Sequence, residues 1–163
     1  MNQNKIIQLA SALLLACMLA FGLAACAYET DANTDANQNR QCLSTMNGKM
    51  GEIKTVMEEF EEAASNGNVV GMRSQLDKAD AIKAEIEGLE ASDALADAKA
   101  DYVEALAAMN GVMESYVDVY GKVKDKTMTE AEVSEAVSGI QAEYDKAIEQ
   151  LQAADQAISE LAG

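Results

Sequence analysis

The sequence predicts an all-α protein, folded as an antiparallel up-down-up-down four-helix bundle with coiled-coil-like seams. Three observations support this prediction. The 163 residues contain no proline, the residue that breaks helices. Four stretches place apolar residues at spacings of three and four, which is the period of a helix face. The breaks between these stretches are short and polar, as loops between antiparallel neighbouring helices are.

The first helix is predicted over residues 39–65. Its apolar positions keep their phase through Gly48 and Gly51, so we expect one helix with a weak start. Asn66-Gly67-Asn68 ends this helix, and Asn68 is well placed to cap the next one. The predicted seam is Leu43, Met46, Met50, Ile53, Met57, Phe60 and Ala64.

The second helix is predicted over residues 69–89. The short break before it predicts that helices one and two form an antiparallel hairpin. Its seam residues, all on one helical face, are Val69, Met72, Leu76, Ala79, Ile82, Ile86 and Leu89.

The third helix is predicted over residues 93–124, with Ser92 as its cap and Asp93 at its positive end. Asn110-Gly111 lies in its middle, but the apolar phase continues through the pair and predicts one continuous helix. Its seam is Leu95, Ala98, Tyr102, Leu106, Met109, Met113, Tyr116, Tyr120 and Val123.

The fourth helix has the clearest start, since Thr129 and Glu132 form a capping box and Met128 and Val133 form a hydrophobic staple. Helices three and four are each about 32 residues, or roughly 48 Å long. Their equal lengths and the short link between them predict a long antiparallel pair. We expect the far end of this pair to project beyond the first hairpin as a two-helix arm. The seam of helix four is Val133, Val137, Ile140, Tyr144, Ala147, Leu151, Ala154, Ile158 and Leu161.

Residues 1–25 have the pattern of a secretory signal, with Lys5 followed by an apolar run and small residues. The end of this pattern, Leu23-Ala24-Ala25-Cys26, resembles the lipobox of bacterial lipoproteins. The resemblance implies cleavage between Ala25 and Cys26 and attachment of lipid, such as palmitate, to Cys26. It also implies a protein anchored in the bacterial cell membrane or outer membrane that faces away from the cytoplasm.

Two other interpretations of this segment remain open, an uncleaved membrane anchor and plain secretion. Gln8 and Ser11 shorten its apolar part to about 14 residues, which is short for a membrane span. Under all three interpretations residues 27–163 lie outside the cytoplasm, because Lys5 holds the start inside. Ala27 is not aspartate, and by analogy with enteric lipoprotein sorting this favours an outer membrane where one exists.

The chain divides into a signal peptide (1–25), a lipidated cysteine with a flexible tether (26–38) and a helical domain (39–163). A polar tandem repeat, Thr30–Asn33 followed by Thr34–Asn37, indicates the tether because it has no helical or strand period.

The tether also resembles the start of a calcium loop, with Asp31, Asn33 and Asp35 at the first ligand positions. However, the required glycine is replaced by Ala36 and the required glutamate by Cys42, so we predict no calcium site.

Charge and composition exclude several functions. The chain has 12 basic and 28 acidic residues, a net charge of −16, and loss of Lys5 with the signal makes it −17. Such a chain repels phosphate backbones, so no nucleic-acid partner is expected. The absence of histidine excludes Ser-His-Asp and Cys-His catalysis. We therefore predict a protein that is not an enzyme, with no catalytic residue, cofactor site or metal site.

Cysteine usage leaves one free thiol. Cys17 is removed with the signal and Cys26 is acylated, so Cys42 has no partner within the mature chain. Either Cys42 is a small buried hydrophobe, or it pairs with another chain.

The surface and core offer weaker candidates. An acidic cluster, Glu58, Glu59, Glu61 and Glu62, is interpreted as a solvated face, and the seam tyrosines as core residues rather than a sugar-binding strip. The acidic face of helix four, whose only basic residue is Lys146, is interpreted in the same way, although it could meet a cationic partner.

These observations predict a lipid-anchored protein that binds or scaffolds at the bacterial cell envelope. Its expected partners are the membrane, through Cys26, and an envelope protein or the cell wall; a homo-oligomer is compatible with the pattern. The alternative is a carrier of a small ligand or of Cu(I) that uses a methionine-lined core, with Cys42 as a thiolate ligand. The methionines that remain after cleavage are Met46, Met50, Met57, Met72, Met109, Met113 and Met128.

Overall fold

The structure, a computed structural model, describes residues 34–162. This part of the chain folds into helices joined by short connections and contains no strand, so the all-α prediction is confirmed. The helices are α1 (Thr34–Ser65), α2 (Val69–Glu87), α3 (Asp93–Lys124) and α4 (Glu130–Ala162).

Helix α1 begins at Thr34 and not at residue 39, so residues 34–38 are helical and do not belong to a flexible tether. The prediction missed this extension because the segment carries no apolar period. It also carries no proline or glycine, and a helix that is already formed extends through such residues at low cost. Arg40 donates from Nη2 to Asn37 Oδ1 at 3.2 Å and ties this turn to the next. The rest of the predicted tether, residues 26–33, lies outside the described residues.

The turn between α1 and α2 follows the predicted chemistry. Gly67 adopts φ +66°, which closes the C-terminus of α1. Asn68 Oδ1 accepts a hydrogen bond from Gly71 N at 3.0 Å, which confirms Asn68 as the cap of α2. Helix α2 ends at Glu87, slightly earlier than predicted, and Leu89 continues to pack against the core after the helix has ended.

Helix α3 has the predicted bounds and runs through Asn110-Gly111 without a break. Ser92 stands at its N-cap position in an extended conformation, but its side chain makes no capping hydrogen bond. Its hydroxyl is buried and finds no partner among the described residues. The predicted Ser92 cap is therefore wrong in its chemistry, because Leu95 N donates to the Ser92 carbonyl oxygen at 2.9 Å and not to the hydroxyl. The backbone N–H of Ser92 donates to Asn39 Oδ1 at 3.1 Å.

The start of α4 confirms the predicted capping box. Thr129 Oγ1 accepts from Glu132 N at 3.3 Å, and Glu132 Oε2 accepts from Thr129 N at 2.7 Å. The N–H of Thr129 lowers the pKa of the Glu132 carboxyl, because it stabilises the charged form. Val133 is buried and Met128 packs against the core, as a hydrophobic staple requires.

The core lies between the seams of the four helices. The most extensive helix contact joins α3 and α4, followed by α1 with α2 and α2 with α3. The predicted seam positions that the structure describes are buried or pack against the core. Additional buried positions, which make each apolar stripe wider than a single seam, include Val56, Ala63, Ala105, Val112 and Val117.

The predicted two-helix arm with an exposed seam is wrong. Val133 is 3% exposed, and Val123 and Val137 pack partly buried against the core. The turn between α1 and α2 reaches this end of α3, since a Cβ placed on Gly67 would lie 2.5 Å from the Tyr120 hydroxyl oxygen. Among the residues whose side chains are described, the exposed large hydrophobic residue is Val70.

Candidate functional site

A groove of about 490 Å³ runs between α2 and α3 and is the best candidate for a binding site. Its volume falls within the range of pockets that hold small molecules. Its apolar wall is limited to Leu76, Val117 and two small residues, so polar groups dominate the lining. The charged residues that line it are Arg73, Asp77, Asp80, Lys83, Glu114 and Asp118.

The groove exists because α3 presents small residues to it. Ala107 and Gly111 line it one helical turn apart, and helical residues at this spacing lie on the same face. A Cβ placed on Gly111 would meet nothing within 4 Å. The space above this part of α3 is therefore open to a ligand or to a side chain of a partner.

A polar pair of the buried Asn110 and the exposed Asp80 joins the two helices beside this space. Asn110 lines the groove, is 8% exposed and donates from Nδ2 to Asp80 Oδ1 at 2.8 Å. In the sequence, Asn110 was considered only as part of a possible helix interruption. Its contribution to a polar groove was missed. A polar residue next to the seam residue Met109 was the available signal, because buried amides need hydrogen-bond partners.

The remaining charges in the groove are only partly neutralised. Lys83 Nζ lies 3.7 Å from Asp80 Oδ1, on the same helix face. Across residues 34–162, no ion pair or hydrogen bond engages the side chains of the other charged lining residues. These residues are Arg73, Asp77, Glu114 and Asp118. The groove thus holds carboxylates and a guanidinium that are available to a bound molecule.

Cys42 forms a second candidate site with Met46. Both residues are 2% exposed, and the Cys42 thiol donates from Sγ to Met46 Sδ at 3.8 Å. Burial raises the pKa of the Cys42 thiol, and the positive charge of Lys99 opposes this rise. The burial of the thiol supports the interpretation of Cys42 as a small buried hydrophobe.

The acidic cluster on α1 is a solvated face, as predicted. Glu58, Glu59 and Glu62 are exposed and Glu61 is partly exposed. Lys78 Nζ lies 2.8 Å from Glu59 Oε2 and lowers the pKa of that carboxyl. Within the described residues, no group of at least three Asp, Glu, Cys or His side chains is placed to hold a metal ion.

The seam tyrosines belong to the core, as predicted. Tyr102, Tyr120 and Tyr144 are buried, and Tyr116 packs partly buried against the core. The ring of Tyr116 meets Phe60 edge to face, with centroids 5.9 Å apart. Burial, and to a lesser extent the neighbouring Tyr120, raise the pKa of Tyr116 to about 12. These rings do not form a surface strip that could stack on sugars.

Cys26 and the rest of the lipobox lie outside the described residues. No helix in the described part of the chain combines the length and apolar character needed to cross a membrane. Comparison with protein-family models, curated proteins and solved structures finds no match to the chain. The groove and the sulfur pair are therefore interpreted from their own chemistry.

Proposed function

We propose that this protein is a lipid-anchored helical bundle on the extracytoplasmic side of the bacterial cell envelope, where it binds or scaffolds a partner without catalysing a reaction. The observation that carries the location is the sequence Leu23-Ala24-Ala25-Cys26 at the end of an apolar signal. The binding site in this proposal is the groove between α2 and α3, because its charged lining residues are largely unpaired.

We propose an up-down-up-down order for the helices, and contacts between α1 and α2 support it. Lys49 Nζ lies 2.6 Å from Glu85 Oε2, and Lys78 Nζ lies 2.8 Å from Glu59 Oε2. The earlier residue of α1 thus meets the later residue of α2, which is the register of an antiparallel pair. Seams of buried residues at spacings of three and four support coiled-coil-like packing.

Contacts along α3 support the same order. Asp80 of α2 meets Asn110, and Glu104 meets Gln150 of α4, whose Nε2 donates to Glu104 Oε1 at 3.3 Å. Two further contacts at opposite ends of α1, Asn39 with Ser92 and Gly67 with Tyr120, match α3 running parallel to α1. Such an order puts the N-terminus of α1 and the connection between α2 and α3 at the same end of the bundle.

Lipid labelling of matched cysteine variants tests the anchor. Cells that express the wild type, Cys26→Ala or Cys42→Ala are fed labelled palmitate, and the protein is then partitioned between detergent and water. We expect the wild type and Cys42→Ala to carry the label and enter the detergent phase, and Cys26→Ala to do neither. Labelled Cys26→Ala protein in the detergent phase would exclude the proposed anchor.

Site-specific crosslinking in intact cells tests the binding role. A photoreactive amino acid is placed at position 111, in the groove, or at position 139, where Gly139 is exposed on α4 and also has open space around it. We expect a discrete envelope adduct from position 111 and none from position 139. The groove would lose its assigned role if the two positions gave the same adducts or if neither gave any.

A Cu(I) carrier is the second candidate, and the Cys42–Met46 pair favours it. A thiol and a thioether are soft ligands, and their sulfur atoms already lie 3.8 Å apart. The raised pKa of Cys42 argues against it, because a metal ligand must be the thiolate. Cu(I) competition titration under reducing conditions decides between the functions. A carrier requires uptake by the wild type and loss of uptake in Cys42→Ala.

A further inference from the structure

The lining of the groove offers acceptors to a cationic group. Asp77 and Glu114 line it without an ion pair in the described part of the chain. Asn110 gives its amide N–H to Asp80, and no described residue donates to its Oδ1. A primary ammonium carries three N–H donors and needs such a set of acceptors, whereas an apolar ligand would leave these groups without partners.

The same groove offers a donor to an anionic group. Arg73 lines it and forms no ion pair within residues 34–162. A guanidinium presents parallel N–H donors that match a carboxylate. Basic residues are scarce, with 12 in a chain that has 28 acidic ones, yet Arg73 and Lys83 both line this groove. The groove is thus more than an acidic patch, because it contains both signs of charge.

Other ligand classes fit less well. The lining has more carboxylates than cations, and this balance opposes phosphate-rich ligands. Among the described residues, the groove carboxylates do not form a set placed to hold a metal ion. Leu76 and Val117 leave only a small apolar wall for a lipid-like or aromatic ligand.

We propose that the groove between α2 and α3 binds a zwitterionic ligand that carries a primary amine and a carboxylate, as a short peptide or a free amino acid does. The amine is held by Asp77, Glu114 and the amide oxygen of Asn110. The carboxylate is held by Arg73. This assignment rests on the proposed binding role of the groove and names the chemistry that the groove recognises.

Calorimetry with the full-length acylated protein in detergent micelles tests the ligand class. The probes are trialanine with both ends free, N-acetyl-trialanine, trialanine amide and free alanine. We expect trialanine or alanine to bind, and either capped peptide to bind at least about ten-fold more weakly than free trialanine if the peptide is the ligand. Comparison of trialanine with alanine separates the peptide from the amino acid. If neither binds, or if capping leaves trialanine affinity unchanged, the proposal is wrong.

Two glycine variants locate the binding. Gly111→Gln projects a side chain into the open part of the groove and improves helix propensity, so it blocks the site without weakening the fold. Gly139→Gln makes the same change on α4, away from the groove, also where a Cβ meets nothing within 4 Å. We expect Gly111→Gln to lose binding and Gly139→Gln to keep it. Equal binding by both variants would place the ligand elsewhere and overturn the assignment.

Two charge variants test the contacts assigned to the carboxylate and to the amine of the ligand. Arg73→Gln should bind free trialanine no better than trialanine amide, because the carboxylate partner is gone. Glu114→Gln should reduce the penalty for N-acetylation, because an amine acceptor is gone. The assigned contacts would be contradicted if Arg73→Gln still preferred free trialanine over the amide and Glu114→Gln still showed the full penalty for N-acetylation. If position 111 crosslinks a partner in cells but no probe binds in calorimetry, the binding role stands and the ligand class is wrong.

Discussion

Two connections flank α3, residues 88–92 before it and residues 125–129 after it, and they are held by different kinds of interaction. In the connection after α3, Thr129 and Glu132 form a capping box, and Thr127 N donates to Lys122 O at 2.9 Å. All of these bonds link residues close in sequence. In the connection before α3, Ser92 makes no capping hydrogen bond, and distant residues hold the backbone instead.

The distant residues in the connection before α3 are Asn39 and Lys99. Asn39 accepts from the Ser92 N–H, and Lys99 Nζ donates to Glu87 O at 2.8 Å and to Leu89 O at 2.7 Å. Lys99 thus satisfies carbonyls at the end of α2 that have no helical partner. The connection after α3 is therefore encoded by local sequence and the one before α3 by packing, so substitutions at the two should behave differently.

The largest effect is expected for Lys99→Met. This variant keeps an apolar stem of similar length but removes two charge-assisted hydrogen bonds, and it should lower the free energy of unfolding by about 2 kcal/mol. Urea unfolding followed by circular dichroism measures the change. Lys146→Met is the control, because Lys146 is exposed and makes no ion pair with the described residues. Equal stability of the two variants would mean that Lys99 does not hold this connection.

A paired alanine substitution compares the caps directly. Thr129→Ala should cost about 1 kcal/mol, the usual effect of losing an N-cap. Ser92→Ala should be neutral or slightly stabilising, because it removes a buried hydroxyl that has no partner among the described residues. The same urea experiment measures both variants. A loss at Ser92 as large as that at Thr129 would contradict the difference between the two connections.

Lys126→Gly should strengthen the locally encoded connection. Lys126 adopts φ 55°, a left-handed conformation, and Gly67 holds the corresponding position after α1. Glycine removes this strain but is more flexible in the unfolded chain, so the net gain should be about 0.5 kcal/mol. Thermal unfolding measures it. Lys124→Gly, in the last turn of α3, is the control and should be destabilising by a similar amount.

Two acids on α4 should make the stability of the fold depend on pH. The lowered pKa of Glu132 stabilises the fold above its ordinary pKa of 4.5, and this contribution is lost as the pH falls through the folded value. Burial raises the pKa of Asp155 from 3.8 to about 6, so stability should decline as the pH rises across this interval.

Measurement of the free energy of unfolding across this pH range tests the direction of the pH dependence predicted for each acid. Asp155→Asn should gain stability relative to the wild type as the pH rises from 3.8 to about 6, and this advantage should stay constant at higher pH. Glu132→Gln should lose stability near neutral pH and approach the wild type in acid. A pH-independent difference between Asp155→Asn and the wild type would show that burial of the charged carboxylate is not the cause.

Sequence alone predicted the features that depend on local pattern. The bounds of α3, the capping box at Thr129 and the buried seams follow from helical period and cap chemistry. The start of α1 at Thr34 was missed because residues 34–38 have no apolar face to reveal their helix. The role of Ser92 was mistaken because Leu95 N donates to the carbonyl oxygen of Ser92 and not to its hydroxyl. The Asn39 side chain that holds the Ser92 N–H is distant in sequence and could not be foreseen.

The groove was not predicted because it belongs to two helices at once. Asn110 and Gly111 were visible on α3 as residues that could interrupt a helix. Only the neighbouring position of Asp80 on α2 makes Asn110 part of a polar site. Asp77 and Glu114 belong to different helices, and only the packing of these helices brings both carboxylates into one groove.

Intact-mass measurement of the protein from the membrane fraction tests the central claim, that a lipid on Cys26 anchors this bundle. The account predicts a mature chain that starts at Cys26, lacks residues 1–25 and carries a mass increment from acyl chains. Fragmentation should place this increment on the N-terminal residue. A chain that retains residues 1–25, or one that starts elsewhere and carries no acyl group, would contradict the account.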